Sequence, residues 1–215
     1  MISDKHQYIF IHTPKCGGSS IEKVLLQNET KLTDEAFEDI FWSDNLNEEI
    51  KKEFFIGKIN EGQLYASHHY TTDMVKSKFP NKFKHYFKFT FARNPWDKAV
   101  SEWRYFSKII TDYNIEFKDS INSKKYWSYA YPWTEHAWEQ FRFALECDFV
   151  GRFENLQEHF DIVCDKIGIP QQQLPHQNKT NHKHYTEYYD EETKQIVAEK
   201  YAKDIEYFGY KFGEI

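Results

Sequence analysis

Eight residues near the start of the chain combine a lysine, two glycines and two serines, in the order Thr13-Pro14-Lys15-Cys16-Gly17-Gly18-Ser19-Ser20. The apolar run from Tyr8 to Ile11 before them predicts a buried strand, and a helical pattern from Ser20 to about Leu26 follows. In that setting the loop favours a bound anion, because it offers backbone N–H groups, the helix N-terminus, the Lys15 ammonium and the serine hydroxyls. The competing interpretation is an ordinary strand-to-helix turn with a capping serine.

The position of the lysine distinguishes this loop from a Walker A loop. In G-x-x-x-x-G-K-[ST] the lysine follows the glycines and a Mg²⁺-binding hydroxyl follows the lysine. Lys15 instead precedes Gly17 and Gly18. The sequence therefore does not encode the Mg²⁺–nucleotide arrangement of that loop, and a P-loop-type nucleotide kinase is only an alternative.

A second pattern places an arginine and a serine after another predicted strand. The strand runs from Tyr86 to Phe91, and Arg93-Asn94-Pro95 follows it, with Ser101 two helical turns further on. Ligands bind beyond the carboxyl ends of strands in open α/β sheets, which is where Arg93 would lie. The planar fork of arginine suits a phosphate, although a carboxylate partner is the structural alternative.

The elements that must position these two loops alternate along the chain. Further strands are predicted at Gln63 to Ala66 and Phe149 to Gly151. Further helices are predicted after Asn94-Pro95, from Trp133 to Leu145, from Leu156 to Ile167 and from Asp190 to Phe208. Strands separated by helices indicate a single α/β domain over residues 1–215, with a P-loop-like central parallel sheet flanked by helices.

Composition excludes several classes of protein. The net charge is −6, from 28 basic and 34 acidic residues, so we expect no nucleic-acid partner. The three cysteines form no C-x-x-C pair, which argues against a disulfide framework or a zinc site. The chain has no apolar run of about 18 residues and no signal-peptide pattern, so we expect a cytoplasmic protein without stable membrane insertion.

Two compositional biases remain. The 40 aromatic residues outnumber the 32 leucines, isoleucines and valines, so rings should build much of the core. Residues 78–108 hold eight basic and two acidic side chains, which indicates either a site for a compact anion or a solvated basic face.

Together, the two loops resemble a known family. A strand followed by P-K-x-G-G-S-S, and a later strand followed by R-N-P-x-x-x-x-x-S, are similar to sulfotransferases that use 3′-phosphoadenosine-5′-phosphosulfate (PAPS). The nearest branch is that of the carbohydrate sulfotransferases, namely heparan sulfate 2-O- and chondroitin-type enzymes and bacterial relatives. Three further segments resemble that branch: Val150 to Leu156, His176 to Thr180, and Asp204 to Phe212.

The resemblance implies roles for individual residues. Lys15 and the backbone of Cys16, Gly17, Gly18, Ser19 and Ser20 would hold the 5′-phosphosulfate, and Lys15 would stabilise charge on the bridging oxygen. Arg93 and Ser101 would bind the 3′-phosphate. The products would be 3′-phosphoadenosine-5′-phosphate (PAP) and a sulfated glycan or other carbohydrate, formed without a metal. Cys16 is expected to act through its backbone, although Lys15 and the helix N-terminus should lower the pKa of its thiol.

In-line sulfuryl transfer needs a general base, and histidine suits that role at neutral pH. His68 and His69 follow the predicted strand at Gln63 to Ala66, where carbohydrate relatives carry their base. We prefer His68 and keep His69 in reserve; either can instead be a structural buried histidine. His136 is a less favoured alternative.

Two more segments have open interpretations. The ring-dense stretch Tyr126 to Trp138 is either core or lid packing, which we favour, or a platform for a sugar acceptor. Lys179 belongs to a polar loop with His176, His182 and His184 that either closes over the cofactor, meets an anionic acceptor or is solvated. Its histidine spacing does not favour a metal. A non-catalytic nucleotide-binding or interaction module remains a third functional class.

Overall fold

The computed structural model describes residues 1–30, 69–109, 115–122, 134–175 and 183–214. Within them lies a four-stranded sheet of order β1 (Ile2–Ser3), β2 (Tyr8–Phe10), β3 (Phe87–Ala92) and β4 (Phe149–Arg152). Strands β2, β3 and β4 are parallel, and β1 pairs antiparallel with β2. The predicted α/β class is confirmed, whereas the sequence pattern does not predict the edge strand β1.

Helices precede and follow the parallel strands. Their bounds are α1 Gly18–Thr30, α2 Thr72–Lys78, α3 Pro80–His85, α4 Pro95–Ile109, α5 Phe117–Asn122, α6 Phe141–Ala144, α7 Leu156–Ile167, α8 Glu191–Lys200 and α9 Ala202–Phe208. Three 3₁₀ turns cover Thr134–Ala137, Phe153–Asn155 and Tyr185–Tyr188. Helix α7 ends at Gly168 as predicted, because that glycine adopts the left-handed conformation (φ 71°). The single helix predicted from Asp190 to Phe208 is two helices that meet at Tyr201.

The central sheet is buried on both faces, as expected for parallel strands covered by helices. Alternate side chains of β2 and β3, such as Phe10 and Phe89, pack with α1 and α7. Ile9 and Ile11 point to the opposite face and pack with Phe83 of α3 and Phe143 of α6. This alternation determines which side chains of each strand point to each face of the sheet, and so how the loops that follow the strands are oriented.

Aromatic rings make up much of the core, as the composition predicts. A cluster beside the sheet joins α4, α5 and α8 and is centred on Trp96, Phe117 and Tyr201. Rings of Phe10, Phe89, Phe91, Phe143 and Phe160 are also buried. Aromatic packing therefore holds α4, which carries Ser101, against the rest of the molecule.

The helix predicted from Trp133 to Leu145 is interrupted between its 3₁₀ turn and α6. In a continuous helix the carbonyl of His136 would accept the N–H of Gln140. Instead, the Lys98 ammonium donates to that carbonyl at 2.5 Å, and the Gln140 N–H donates to Asp204 at 2.8 Å. The helical hydrogen bond from Gln140 to His136 is therefore replaced by bonds to Asp204 and Lys98, and the helix is interrupted there.

The predicted strand at Gln63 to Ala66 lies outside the described residues. Among the helices that are described, none has the length and apolar character needed to cross a membrane.

We expect Asp204→Asn to destabilise the fold by about 1 to 3 kcal/mol, because a buried backbone N–H would lose its acceptor. The Asp204 carboxylate is fully buried and accepts the N–H groups of both Gln140 and Phe141, whereas an amide offers one oxygen and one NH₂. Urea denaturation measures the change. Asp165→Asn, which alters an exposed carboxylate bonded to Gln171, is the matched control. Equal denaturation midpoints for the two variants would contradict the expectation.

Candidate functional site

The loop between β2 and α1 has an unusual backbone. Lys15 has φ 64° and Gly17 has φ 82°, and α1 begins when the N–H groups of Ser20 and Ile21 donate to the Gly17 carbonyl. A left-handed conformation is unfavourable for a lysine, by about 1 to 2 kcal/mol. The Arg93 guanidinium compensates by donating from Nη1 to the Lys15 carbonyl at 3.1 Å. The two sequence motifs therefore meet at one edge of the sheet, where parallel strands β2 and β3 both end.

Packing requires both glycines of this loop. A Cβ atom on Gly17 would lie 2.7 Å from Leu156 Cδ2, and one on Gly18 would overlap the His12 ring. Close approach of α7 and of the His12 ring therefore leaves no room for a side chain. The glycines bring the start of α1 against these neighbours as well as freeing the loop backbone.

Protein groups hold the Arg93 side chain in position. Its Nε donates to the Asp97 carboxylate at 2.7 Å, and the Phe153 ring lies 4.0 Å from the guanidinium carbon. The carboxylate partner considered from the sequence is therefore present. Nη2 has no hydrogen-bond partner among the residues that the structure describes. Ser101 follows Asp97 by four residues on α4, so it lies on the same side of the helix.

Cys16 does not behave as its position in the sequence predicts. Its thiol is buried and lies within donating distance of Gln140 Oε1 (3.1 Å) and the Pro14 carbonyl (3.4 Å). Burial raises the pKa of Cys16 above its usual value, and this outweighs the opposing effect of Lys98 and Arg93. The expected lowering of that pKa is wrong, because the thiol faces the interior rather than the loop N–H groups.

Gln140 is the positioning residue that sequence reasoning missed. Its side-chain amide donates to the Arg93 carbonyl at 2.8 Å and accepts the Arg93 N–H at 2.9 Å, as a neighbouring strand would. The same oxygen contacts the Cys16 thiol. One buried amide thus ties the end of β3 to the lysine loop. A single glutamine in an irregular segment belongs to no recognisable motif, so the sequence does not identify it.

The surroundings of Lys15 disfavour the positive charge of its ammonium group. Burial lowers the pKa of Lys15 to about 8, and the positive charges of Arg93 and Lys98 act in the same direction while Glu102 opposes them. The ammonium sits 3.9 Å from the centre of the Tyr105 ring, a cation–π contact. A bound anion would relieve this excess of positive charge, so the residues present fit an anionic ligand.

The basic segment 78–108 contributes less charge than its composition indicates. Within the described residues, four of its eight basic residues pair with carboxylates: Lys82 with Asp4, Lys88 with Asp148, Arg93 with Asp97, and Lys98 with Glu102. Two of these acids come from outside the segment. The positive character of the site therefore depends on how Lys15 is placed next to Arg93.

Three histidines meet beside the lysine loop. The His69 ring contacts those of His12 and His136 edge to face, with centroids 4.9 and 4.7 Å away. His12 Nδ1 lies 3.0 Å from Glu22, and His136 Nδ1 lies 3.0 Å from Glu102. All five side chains are nearly fully buried. No spacing in the sequence groups them, because they come from four separate segments.

Several sequence predictions fall on residues outside the described part of the chain. His68, the preferred base, lies there, as do Lys179, His176 and His182 of the polar loop and residues 126–133 of the aromatic stretch. His184 is exposed and pairs with Thr186 at 2.7 Å. Trp138 packs against Phe143 and Arg142.

Two of the other segments that resemble the family stabilise the turn at Arg93. Glu154 accepts the Asn94 N–H at 2.6 Å and the Tyr210 hydroxyl at 3.2 Å. Arg152 donates to the Phe208 carbonyl at 2.7 Å. The segments 150–156 and 204–212 therefore hold the turn that presents Arg93.

Known proteins are similar to this chain in sequence. The sequence profile of the sulfotransferase family matches residues 1–211. An uncharacterized protein of Archaeoglobus fulgidus is 32% identical over 46% of this chain and 82% of its own length. Carbohydrate sulfotransferase 14 of Danio rerio is 21% identical over 98% of this chain, which spans 61% of that relative's length. No solved structure matches the chain.

We expect Gln140→Met to destabilise the fold by about 2 to 5 kcal/mol, because the Arg93 N–H and carbonyl would both be left buried without partners. Methionine preserves the length of the side chain but not its hydrogen bonds. Urea denaturation measures the loss, and Gln195→Met, at an exposed position of α8, is the control. Unchanged stability of Gln140→Met would show that the amide does not hold this edge together.

Proposed function

The chain belongs to the sulfotransferase family, and from that premise we propose that it transfers the sulfuryl group of PAPS to a carbohydrate hydroxyl. The observation that carries the proposal is the meeting of Lys15 and Arg93 at one sheet edge, through the 3.1 Å bond from Arg93 to the Lys15 carbonyl. Two cations are thereby available to the two anionic ends of one nucleotide. The carbohydrate acceptor is supported by the similarity to carbohydrate sulfotransferase 14.

Each loop has its own part in cofactor binding. Lys15 and the N–H groups of residues 16–19 would bind the 5′-phosphosulfate, at the N-terminus of α1. The Ser20 N–H, expected from the sequence to take part, instead donates to the Gly17 carbonyl at 3.1 Å. Arg93 offers its Nη2 group, and Ser101 its hydroxyl, to the 3′-phosphate. Lys179 is proposed as a further cofactor contact, on the sequence resemblance alone.

When bound, PAPS supplies an activated sulfuryl group: its sulfur–oxygen bond to the 5′-phosphate breaks as a bond from sulfur to the acceptor oxygen forms. Lys15 and the loop N–H groups stabilise the negative charge that collects on the 5′-phosphate of PAP. A histidine accepts the proton that the acceptor hydroxyl loses. These residues thus stabilise the charge on the leaving group and accept the proton of the acceptor, and the proposed reaction uses no metal ion.

The base is one of two adjacent histidines. His68 is favoured by the resemblance. His69 is supported by its contacts, because its ring lies next to His12, which in turn packs against Gly18 of the lysine loop. A single residue, His12, thus lies between His69 and the cofactor loop, so we propose His69 as the base, keep His68 as the alternative and test both.

Transfer of ³⁵S from PAPS to a panel of desulfated glycans tests the function. Lys15→Ala and His69→Ala should each lower kcat on the order of 10²-fold, as expected for removal of an oxyanion donor and a general base. Exposed Lys84 and His85 supply the control variants Lys84→Ala and His85→Ala. Loss of turnover in His68→Ala but not in His69→Ala would assign the base to His68.

Calorimetry with PAP and with ATP–Mg²⁺, with EDTA controls, is combined with the transfer assay to separate the remaining functional classes. A nucleotide kinase would bind ATP–Mg²⁺ in preference to PAP and lose activity in EDTA. A non-catalytic module would bind PAP and transfer no label to any glycan. Either result would overturn the proposed reaction.

We expect PAP binding to take up about half a proton at pH 8, because Lys15, with a pKa of about 8, is then only half protonated and a bound anion favours its charged form. Below pH 7 Lys15 is already charged and uptake should vanish; above pH 9 affinity should fall as Lys15 loses its charge. Calorimetry in buffers of different ionisation enthalpy measures the uptake. Lys15→Arg, which is always protonated, should abolish it, and persistent uptake in that variant would contradict the assignment.

A further inference from the structure

We propose that Glu102, acting through His136, is a positioning residue for sulfuryl transfer that supports the positive charge that His69 acquires as it takes the acceptor proton. This role rests on the proposed function. It concerns a buried cluster of titratable side chains that cofactor binding leaves unexplained.

The geometry forms a chain of contacts from a carboxylate to the base. Glu102 Oε2 lies 3.0 Å from Nδ1 of His136, so the carboxylate, which can only accept, fixes the proton on that nitrogen. The His136 ring then meets the His69 ring edge to face, at 4.7 Å between centroids and an interplanar angle of 78°. Stacking of Tyr105 on His136 at 5.8 Å and 14° restricts the orientation of the middle ring.

Glu102 carries a full negative charge in this position. Burial alone would raise the pKa of Glu102, but His136 and Lys98 outweigh burial and lower that pKa to about 2. The carboxylate therefore stays ionised throughout the pH range in which a histidine base works. A fixed negative charge one imidazole away lowers the cost of an imidazolium at His69, because it acts in a dry interior.

Charged groups reach His69 from several elements. On the favourable side are Glu102 of α4 and Glu22 of α1, the latter through His12. On the opposing side are two cations that interact with Glu102, namely Lys15 of the loop and Lys98 of α4. Lys98, however, lies closer to the His136 carbonyl, at 2.5 Å, than to Glu102, at 3.4 Å. Its charge is thus directed at the backbone of the turn, and Glu102 remains the acid bonded to His136.

Neither a metal site nor a purely structural ion pair fits the cluster as well. A metal site would need three ligands converging on one point, and no group of three His, Cys, Asp or Glu side chains in the described part of the chain has that arrangement. A structural pair, in which Glu102 only neutralises Lys98, would not need the shorter contact to His136. Such a pair predicts a stability loss alone, which makes the two roles of Glu102 separable by experiment.

Glu102→Gln keeps the shape of the side chain and removes its charge. We expect kcat for ³⁵S transfer at saturating PAPS to fall about 10-fold or more. The KM for PAPS should rise as well, because Glu102 also raises the pKa of Lys15, so kcat and the pH profile carry the test. The acid limb of the kcat/KM profile should move to lower pH by about one unit, since an imidazolium at His69 becomes less favourable. Glu102→Asp should restore part of the rate, and Glu146→Gln, in an exposed pair with Lys76, is the matched control.

A second readout needs no substrate. The NMR titration of the His69 Cε1–H resonance, assigned with His69→Gln, should move to lower pH in Glu102→Gln and in His136→Gln by similar amounts. The double variant should show no further shift, because the two residues act as one unit. If the wild-type protein transfers no sulfuryl group but these shifts occur, the proposed function fails while the coupling stands. If the melting temperature falls but the titration and the pH profile stay unchanged, Glu102 is structural and the proposal is overturned. Should Glu102→Gln fail to fold, the titrations of His136→Gln and Glu102→Asp decide in the same way.

Discussion

Burial of Arg93 and Lys98 and partial burial of Lys15, all around one loop, is the constraint on which the rest of the site depends. Lys15, Arg93 and Lys98 come from two segments of the chain, and burial of an unpaired cation is costly. Each is stabilised differently: Arg93 by Asp97, Lys98 by Glu102 and a backbone carbonyl, and Lys15 by the face of Tyr105. Only Lys15 has no carboxylate contact among the described residues, and its lowered pKa makes it the group that a ligand anion would satisfy.

The same constraint shapes the backbone around the site. Arg93 supports the strained Lys15 peptide, and Gln140 pairs with both backbone groups of Arg93. Lys98 and Asp204 interrupt a helix so that Gln140 can turn inward. Because Arg93 contacts the loop that carries Lys15, a ligand that draws Arg93 toward itself also acts on that loop. Under the proposed function, binding at one end of the nucleotide would thereby be linked to the geometry at the other.

Features set by local sequence were predictable, and features set by distant charges were not. The strands around Phe10 and Phe89 and the end of α7 at Gly168 follow from apolar runs and one glycine. The meeting of the Lys15 and Arg93 motifs follows from parallel strands that share a carboxyl edge. The interrupted helix before Phe141 and the raised pKa of Cys16 depend on side chains far away in sequence. The same is true of the histidine cluster, whose members no spacing relates.

The affinity for PAP against 5′-AMP, measured by calorimetry in the wild-type protein and in Arg93→Ala, tests most directly whether Lys15 and Arg93 bind the two ends of one nucleotide. The two ligands differ only in the 3′-phosphate, so their ratio isolates the contribution of Arg93 even if the variant also disturbs the loop. We expect the wild-type protein to prefer PAP on the order of 100-fold, as two charge-assisted hydrogen bonds would give, and Arg93→Ala to lose most of that preference. Equal affinity of the wild-type protein for PAP and 5′-AMP, or an undiminished preference in the variant, would contradict this two-ended binding.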